Sequence, residues 1–232
     1  MNLDVFKDEV SKLGIKYTDD MLEKLEKYYE LLISYNEKMN LTAITEKEDV
    51  YLKHFYDSLT IVKVIDLNSI NSVCDIGTGA GFPGIVLKIF FPNIELTLVD
   101  ALNKRINFLE TTVLKLNLTN VTCVHARAEE YALKNREKFD LVTARAVASL
   151  PVLLEYCLPL VKVSGYFVAM KGSEDISLAG NALNKLSGEI DINNKFLLPF
   201  ENSNRTLIRV KKINKTDKKF PRKFSEIKKR PL

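Results

Sequence analysis

Residues 72–84 read Ser72-Val73-Cys74-Asp75-Ile76-Gly77-Thr78-Gly79-Ala80-Gly81-Phe82-Pro83-Gly84, and this stretch decides the fold. It follows Ile70 and a short apolar run of strand character. It precedes Ile85-Val86-Leu87-Lys88-Ile89-Phe90-Phe91, which reads as a buried helix. Strand, glycine turn and helix together make a nucleotide-binding loop. Gly77 and Gly79 permit a tight turn with positive φ and close backbone approach to a ligand, and Pro83 suits the first helical turn, where no N–H is needed. The spacing narrows the ligand. A dinucleotide fingerprint would put its third glycine where Phe82 stands, and no lysine follows the glycines to cradle a phosphate. The pattern is instead Asp-x-Gly-x-Gly-x-Gly. Asp75, at the strand's carboxyl end, is placed to reach a cationic group or a ligand amine. A second acid, Asp100, closes the next strand, Ile94 to Val99, where a carboxylate would take both hydroxyls of a ribose.

Around this stretch, 232 residues of 46% hydrophobic and 28% charged composition describe one large soluble domain with a substantial core. No run is long enough to span a membrane, and the mixed, acidic opening Met-Asn-Leu-Asp-Val-Phe-Lys-Asp is not a signal peptide, so a cytoplasmic location is expected. Cys74, Cys123 and Cys157 have the spacing of neither a zinc site nor a redox pair; Cys74 and Cys123 read as fillers of buried strands in a reducing compartment. No metal site is expected. The net charge of +4 is uneven: Arg205 to Leu232 holds twelve of the 34 basic residues and two of the 30 acidic ones, which leaves the body mildly acidic. A basic end suits a polyanionic partner; equally, it could be no more than a solvated tail.

Leu3 to Leu13 and Thr18 to about Lys38 have helical spacing, the second capped by Thr18 with Asp19 and Asp20 in its first turn. Its tyrosines read as half-buried packing residues. After the link Asn40-Leu41-Thr42, Thr45 and Glu48 form the pattern of a capping box for a third helix, on which His54 and Asp57 read as a surface pair. From Ile70 strands and helices alternate, with strands near 120–125, 139–143 and 166–170, helices over 102–117, 150–161 and 175–186, and two last strands near 190–197 and 205–211 without a helix between them. The expected fold is therefore α/β, a Rossmann-like, mostly parallel sheet with one antiparallel strand from the closing hairpin. Its expected parts are an N-terminal helical extension (1–66), a cofactor-binding core (67–212) and a basic C-terminal tail (213–232). A ligand belongs beyond the carboxyl ends of the first four strands, where Gly77, Asp100, Ala128-Glu129 and Arg145 converge.

Several of these stretches form a joint signature. Asp75 to Gly84, with Asn40-Leu41-Thr42, His54-Phe55-Tyr56-Asp57-Ser58, Arg145-Ala146-Val147-Ala148-Ser149-Leu150 and Met170-Lys171-Gly172, resembles the ribosomal RNA small subunit methyltransferase G family, also called glucose-inhibited division protein B, within the class I S-adenosylmethionine-dependent methyltransferases. The resemblance runs nearly end to end, including Phe220-Pro221-Arg222-Lys223. It implies transfer of a methyl group from S-adenosylmethionine to N7 of one guanine in 16S ribosomal RNA, with naked RNA or a small-subunit precursor as partner and a monomeric enzyme. It implies a cofactor pocket that includes Gly77 and Phe82, with Ala128 and Glu129 at the adenine and Arg145 at the mouth; Gly79 joins by the reading of the glycine turn and Asp100 by the spacing argument above.

Guanine N7 carries an in-plane lone pair and no proton, so no catalytic base is expected. The place after the fourth strand, where exocyclic-amine methylation often uses Asn/Asp-Pro-Pro-Tyr/Phe, holds Thr143-Ala144-Arg145-Ala146 instead. Cys157 lies within an expected helix, which argues against the nucleophilic cysteine of a 5-methylpyrimidine enzyme. Arg145 could hold an RNA phosphate or stack on the target base, or it could form a structural ion pair; Lys171, Arg205 and the tail lysines are candidate phosphate contacts. The competing readings are a small-molecule methyltransferase on the same fold, a nicotinamide dehydrogenase and a noncatalytic RNA-binding protein.

Overall fold

The computed structural model describes residues 1–201 and 203–232. Seven strands form a single sheet in the order β3-β2-β1-β4-β5-β7-β6. They are β1 (Ser72–Ile76), β2 (Glu95–Asp100), β3 (Val121–His125), β4 (Phe139–Arg145), β5 (Val161–Lys171), β6 (Gly188–Leu197) and β7 (Asn204–Lys212). The first five are parallel, and β7 inserts antiparallel between β5 and β6. The closing hairpin thus supplies the one reversed strand, as the missing helix between the last two strands requires. The order reverses direction between β1 and β4, which opens a crevice at their carboxyl ends.

The inner strands alternate their apolar side chains between two cores. Val73 joins the core beneath α5 (Gly84–Phe90) and α6 (Asn103–Lys115), whereas Cys74 and Ile76 join the core beneath α7 (Ala128–Lys134), α8 (Leu150–Cys157) and α9 (Gly180–Leu186). The N-terminal helices α1 (Leu3–Lys12) and α2 (Asp19–Met39) cover the first core, with Phe6, Leu25, Tyr28 and Leu32 fully buried. Cys74 and Cys157 are buried, but Cys123 is only half-buried because β3 is the sheet's edge strand.

Local structure departs from expectation in three places. The third helix begins at Lys47 as α3 (Lys47–Val50), with Glu46 at its N-cap and no side-chain cap, so the Thr45–Glu48 capping box does not form. It then widens into a π-helical segment, Tyr51–Tyr56, before α4 (Asp57–Leu59). The helix after β4 stops at Cys157 and tightens to a 3₁₀ turn over Leu158–Leu160, where Pro159 cannot extend the α-helical bonding. Helix α9 is shorter than expected, with a 3₁₀ turn at Ile176–Ala179 before it.

The basic C-terminal segment packs on the second core and ends in α10 (Phe224–Lys229). Phe220 and Ile227 are buried; the Arg136 guanidinium donates to the carbonyls of Phe220, Thr216 and Asp217; and Arg222 makes a two-pronged ion pair with Glu155, whose carboxylate is 0% exposed. Removing the segment would strand a buried carboxylate, so a truncation tests the fold as well as RNA binding.

Candidate functional site

The glycine loop is shaped by carboxylates from both sides. Asp75 is fully buried, and its Oδ2 accepts from Thr78 Oγ1 at 2.7 Å and from the Gly84 N–H at 2.9 Å. It therefore staples the turn to the start of α5 rather than reaching out to a ligand, which corrects the expectation from its position. Its Oδ1 has no hydrogen-bond partner among the described residues. Burial, opposed by those two hydrogen bonds, raises its carboxyl to about 6. Asp100, nearly buried, holds the loop's other flank: Oδ2 accepts from the Gly79 N–H at 3.0 Å and from Arg105 at 3.2 Å, and Oδ1 accepts from the Leu102 N–H at 2.9 Å. A carboxylate has about four acceptor positions, so three donors leave it room for a hydroxyl. Gly77 and Gly79 sit at φ +67° and +61°, a conformation in which a Cβ costs roughly 1–2 kcal/mol. Pro83 caps α5 from one residue outside the helix instead of standing in its first turn.

The N-terminal helices build the wall behind this loop. Tyr28 of α2 donates its hydroxyl to the Ala80 carbonyl, and its ring packs on Phe55 and Phe82 at centroid distances of 5.5 and 5.4 Å. His54, in the π-helical turn, stacks on Phe82 at 4.5 Å. The Arg145 guanidinium, at the end of β4, lies 5.1 Å from the Phe82 ring centroid. The expected His54–Asp57 surface pair is replaced by a different arrangement. Asp57 is only 5% exposed and is gripped by two arginines: Oδ1 accepts from Arg205 at 2.9 Å and Oδ2 from Arg145 at 3.2 Å.

His54 Nδ1 lies 3.3 Å from Arg145 Nη2, and Nε2 lies 2.9 Å from Thr42 Oγ1. Nδ1 also lies 3.2 Å from the Lys53 carbonyl, which only accepts, whereas the guanidinium only donates; the two contacts call for opposite tautomers, and the Thr42 hydroxyl can accept from Nε2 or donate to it in either case. Burial and the facing Arg145 charge lower His54 to about 3, so the ring is neutral near pH 7. The Asn40-Leu41-Thr42 link is what orients it: the Thr42 N–H is fixed by Asn36 Oδ1 at 2.9 Å. His54 and Asp75 shift stability in opposite directions. The unfolded chain protonates the imidazole near 6.5 while the folded one does not, so that contribution is lost as pH falls from about 6.5 toward 3. Asp75, raised above its unfolded value of 3.8, favours the folded state increasingly as pH falls from about 6 to 4. Melting curves between about pH 4 and pH 7 should show His54→Gln gaining on the wild type as the solution is acidified and Asp75→Asn losing ground to it. Parallel curves for all three proteins would contradict both assignments.

Three cavities meet at the crevice. One, of about 490 Å³, is lined by Thr42, His54, Gly77, Gly79, Phe82, Asp100 and Arg145 among others. The second, of about 140 Å³, shares Gly77 and Asp100 with it and continues to Ala128 and Glu129 at the start of α7. Every residue expected to bind cofactor therefore borders one or both of these two adjoining cavities, which together make the cleft. The third cavity, of about 260 Å³, opens on the other side of Arg145 and is lined by Lys53, Asp57, Met170, Lys171, Arg205 and Leu207. It shares His54, Arg145 and Ala146 with the first. Sequence reasoning missed Tyr28, Thr42, Asp57 and Val147 as parts of this region. An acid inside the apolar run Phe55–Leu59 was the available signal for Asp57, since a buried carboxylate requires a charged partner.

Comparison with known proteins gives the arrangement a family. The rRNA small subunit methyltransferase G family model matches residues 21–196. Curated relatives with that family's name include one from Bacillus subtilis (strain 168), 47% identical over all of this chain and 99% of the relative, and one from Bacillus cytotoxicus, 49% identical with the same coverage. Among solved structures, a ribosomal protein L11 methylase from Lactobacillus delbrueckii subsp. bulgaricus superposes with TM-score 0.53 at 15% identity, covering 70% of this chain and 79% of its own. A 16S rRNA (adenine(1408)-N(1))-methyltransferase from Catenulisporales acidiphilia, solved with the cosubstrate SAM, gives 0.53 at 16% identity, covering 63% of this chain and 87% of its own. At such identities these two show the fold alone.

Proposed function

This chain belongs to the rRNA small subunit methyltransferase G family, and from that membership we propose that it transfers a methyl group from S-adenosylmethionine to N7 of a guanine in 16S ribosomal RNA. The observation that carries the reading is the junction at Arg145, where a cofactor-sized cleft and a cation-lined cavity meet on His54, Arg145 and Ala146. The residues fit the cofactor. Gly77 and Gly79 hold the loop at positive φ along the cleft, a Cβ at Gly77 would meet Val147 Cγ2 at 2.7 Å, and Asp100 keeps an acceptor position for a hydroxyl beyond its three donors. Gly77, Gly79 and Phe82 would hold the methionine portion, Asp100 the ribose, Ala128 and Glu129 the adenine, with Arg145 between cofactor and substrate. When bound, S-adenosylmethionine supplies a methyl group on a positively charged sulfur, open to an aligned lone pair.

The chain's own residues orient rather than titrate. His54 is neutral with both ring nitrogens engaged, and Asp57 is taken up by two guanidiniums. Such a site suits an acceptor that has no proton to lose, as N7 does. Holding two reactants in line can lower a barrier by on the order of 7–11 kcal/mol. Ala146, Met170 and Leu207 offer an apolar wall for a purine, while Lys53, Lys171 and Arg205 line the rim already paired with Glu201, Glu174 and Asp57, which leaves flanking phosphates to the exposed cations of the C-terminal segment. The cytoplasm, where ribosomal RNA is assembled, is the compartment this reading implies; no helix among the described residues is long and apolar enough to cross a membrane.

The test is transfer of labelled methyl to small-subunit RNA from cells that lack the modification, with mapping of the product. Label on N7 of one guanine is the expected outcome. A folded, cofactor-binding protein that labels no RNA, or labels an exocyclic amine, contradicts the proposal.

A further inference from the structure

We propose that the C-terminal helix α10 completes the adenine end of the cofactor cleft, with Phe224 as the contact residue and Arg127 as its positioning residue. The inference rests on the cofactor reading of the cleft and adds to it a segment whose charge suggested only RNA. Phe224 opens α10 and lines the same cavity as Val99, Ala128, Glu129 and Tyr156. It is separated by about a hundred positions from any other residue proposed for the adenine, yet it stands against them.

The ring is held rather than loose. The Arg127 guanidinium, immediately before Ala128, lies 4.6 Å from its centroid, a cation–π distance. Arg222, two residues earlier, is locked on the fully buried Glu155 through its guanidinium and its backbone N–H. Ile227, three residues later, is fully buried. These anchors fix the helix while Phe224 itself stays 40% exposed, at the mouth of the cavity. Lys228 Nζ also lies 6.0 Å from the ring centroid, on a flexible stem at the surface, and the ring keeps its 40% exposure beside the cavity; an aromatic ring so placed is suited to a planar aromatic ligand such as a purine, because every base offers a π-face for stacking. Arg127 serves the ring twice, by covering it and by fixing its tilt from the N-cap of α7, the helix that begins with Ala128.

The measurement is calorimetric affinity of the full chain for S-adenosylmethionine and for adenosine alone. Phe224→Ala is expected to weaken both by about tenfold, and Phe224→Tyr, which keeps the ring, to stay within about twofold of the wild type. Arg127→Met is expected to weaken both by about threefold through loss of positioning; it supplies a second, independent variant should Phe224→Ala fold poorly. Wild-type affinity in both Phe224→Ala and Arg127→Met overturns the proposal. Equal weakening in Phe224→Ala and Phe224→Tyr also overturns it, because a role in folding alone explains that result. Unchanged cofactor affinity with weakened RNA binding would make Phe224 an RNA contact and likewise overturns it. A wild-type protein that binds neither compound removes the cofactor reading itself, an outcome distinct from all of these.

Discussion

Gly77→Arg is expected to abolish S-adenosylmethionine binding in a chain that still folds. Gly77 stands at φ +67°, and a Cβ built there would lie 2.7 Å from Val147 Cγ2. That obstacle is the end of a partly exposed side chain and can shift, and the backbone strain is roughly 1–2 kcal/mol. Alanine should therefore cost modest stability. Arginine differs in kind, because Gly77 lines both parts of the cleft at their junction. A long cation there blocks the passage between methionine and adenine ends and places a positive charge where a sulfonium must lie. The expected loss is at least about a hundredfold in affinity, roughly 2.7 kcal/mol. Calorimetry on Gly77→Ala and Gly77→Arg, alongside melting curves, separates blockage from unfolding. Wild-type affinity in Gly77→Arg would place the cofactor elsewhere.

What could be read from the sequence was what is local or periodic. The glycine turn, the two acids that flank it and the alternation of strand and helix are all encoded within short windows, and the reversed strand follows from a missing crossover helix. The same reading misplaced Asp57. A 3.6-residue period assumes α-helix throughout, but the π-helical turn at Tyr51–Tyr56 shifts the phase of everything after it. Asp57 thereby turns inward, and its partners lie 88 and 148 positions away, beyond any local signal. Asp75 was placed correctly at the strand end, yet its direction depends on Thr78 and Gly84 closing back upon it. The charge count at the C-terminus was right as a count and incomplete as an argument. Arg205, Arg209 and Arg222 pair with Asp57, Asp191 and Glu155, and Lys212 is buried against Thr216 and the Leu158 carbonyl. The exposed Lys215, Lys218, Lys223, Lys228, Lys229 and Arg230 are what is left to meet a polyanion.

Asp57→Ala is expected to give the largest combined loss of stability and RNA methylation. Asp57 neutralises Arg145 and Arg205 at once, and both guanidinium side chains are themselves mostly buried, at 13% and 21% exposure. Removing one partner of a buried pair costs about 3–5 kcal/mol, because the remaining charge stays desolvated. Here two like charges remain, but each keeps some access to water, so the lower end of that range applies. For a chain of this size, about 3 kcal/mol corresponds to a melting temperature roughly 6–12 °C lower. Arg145 also loses its direction. It leans on Asp57, the Lys53 carbonyl and His54, and it separates the cofactor cleft from the cation-lined cavity. RNA methylation should therefore fall further than cofactor affinity, because the displaced guanidinium stands between the two reactants rather than at the adenine. Adding Arg205→Met to Asp57→Ala removes one of the two uncompensated charges and should recover part of the melting temperature without restoring methylation. A single variant that melts within about 2 °C of the wild type, or a double variant less stable than the single, would show that the two arginines do not depend on this carboxylate.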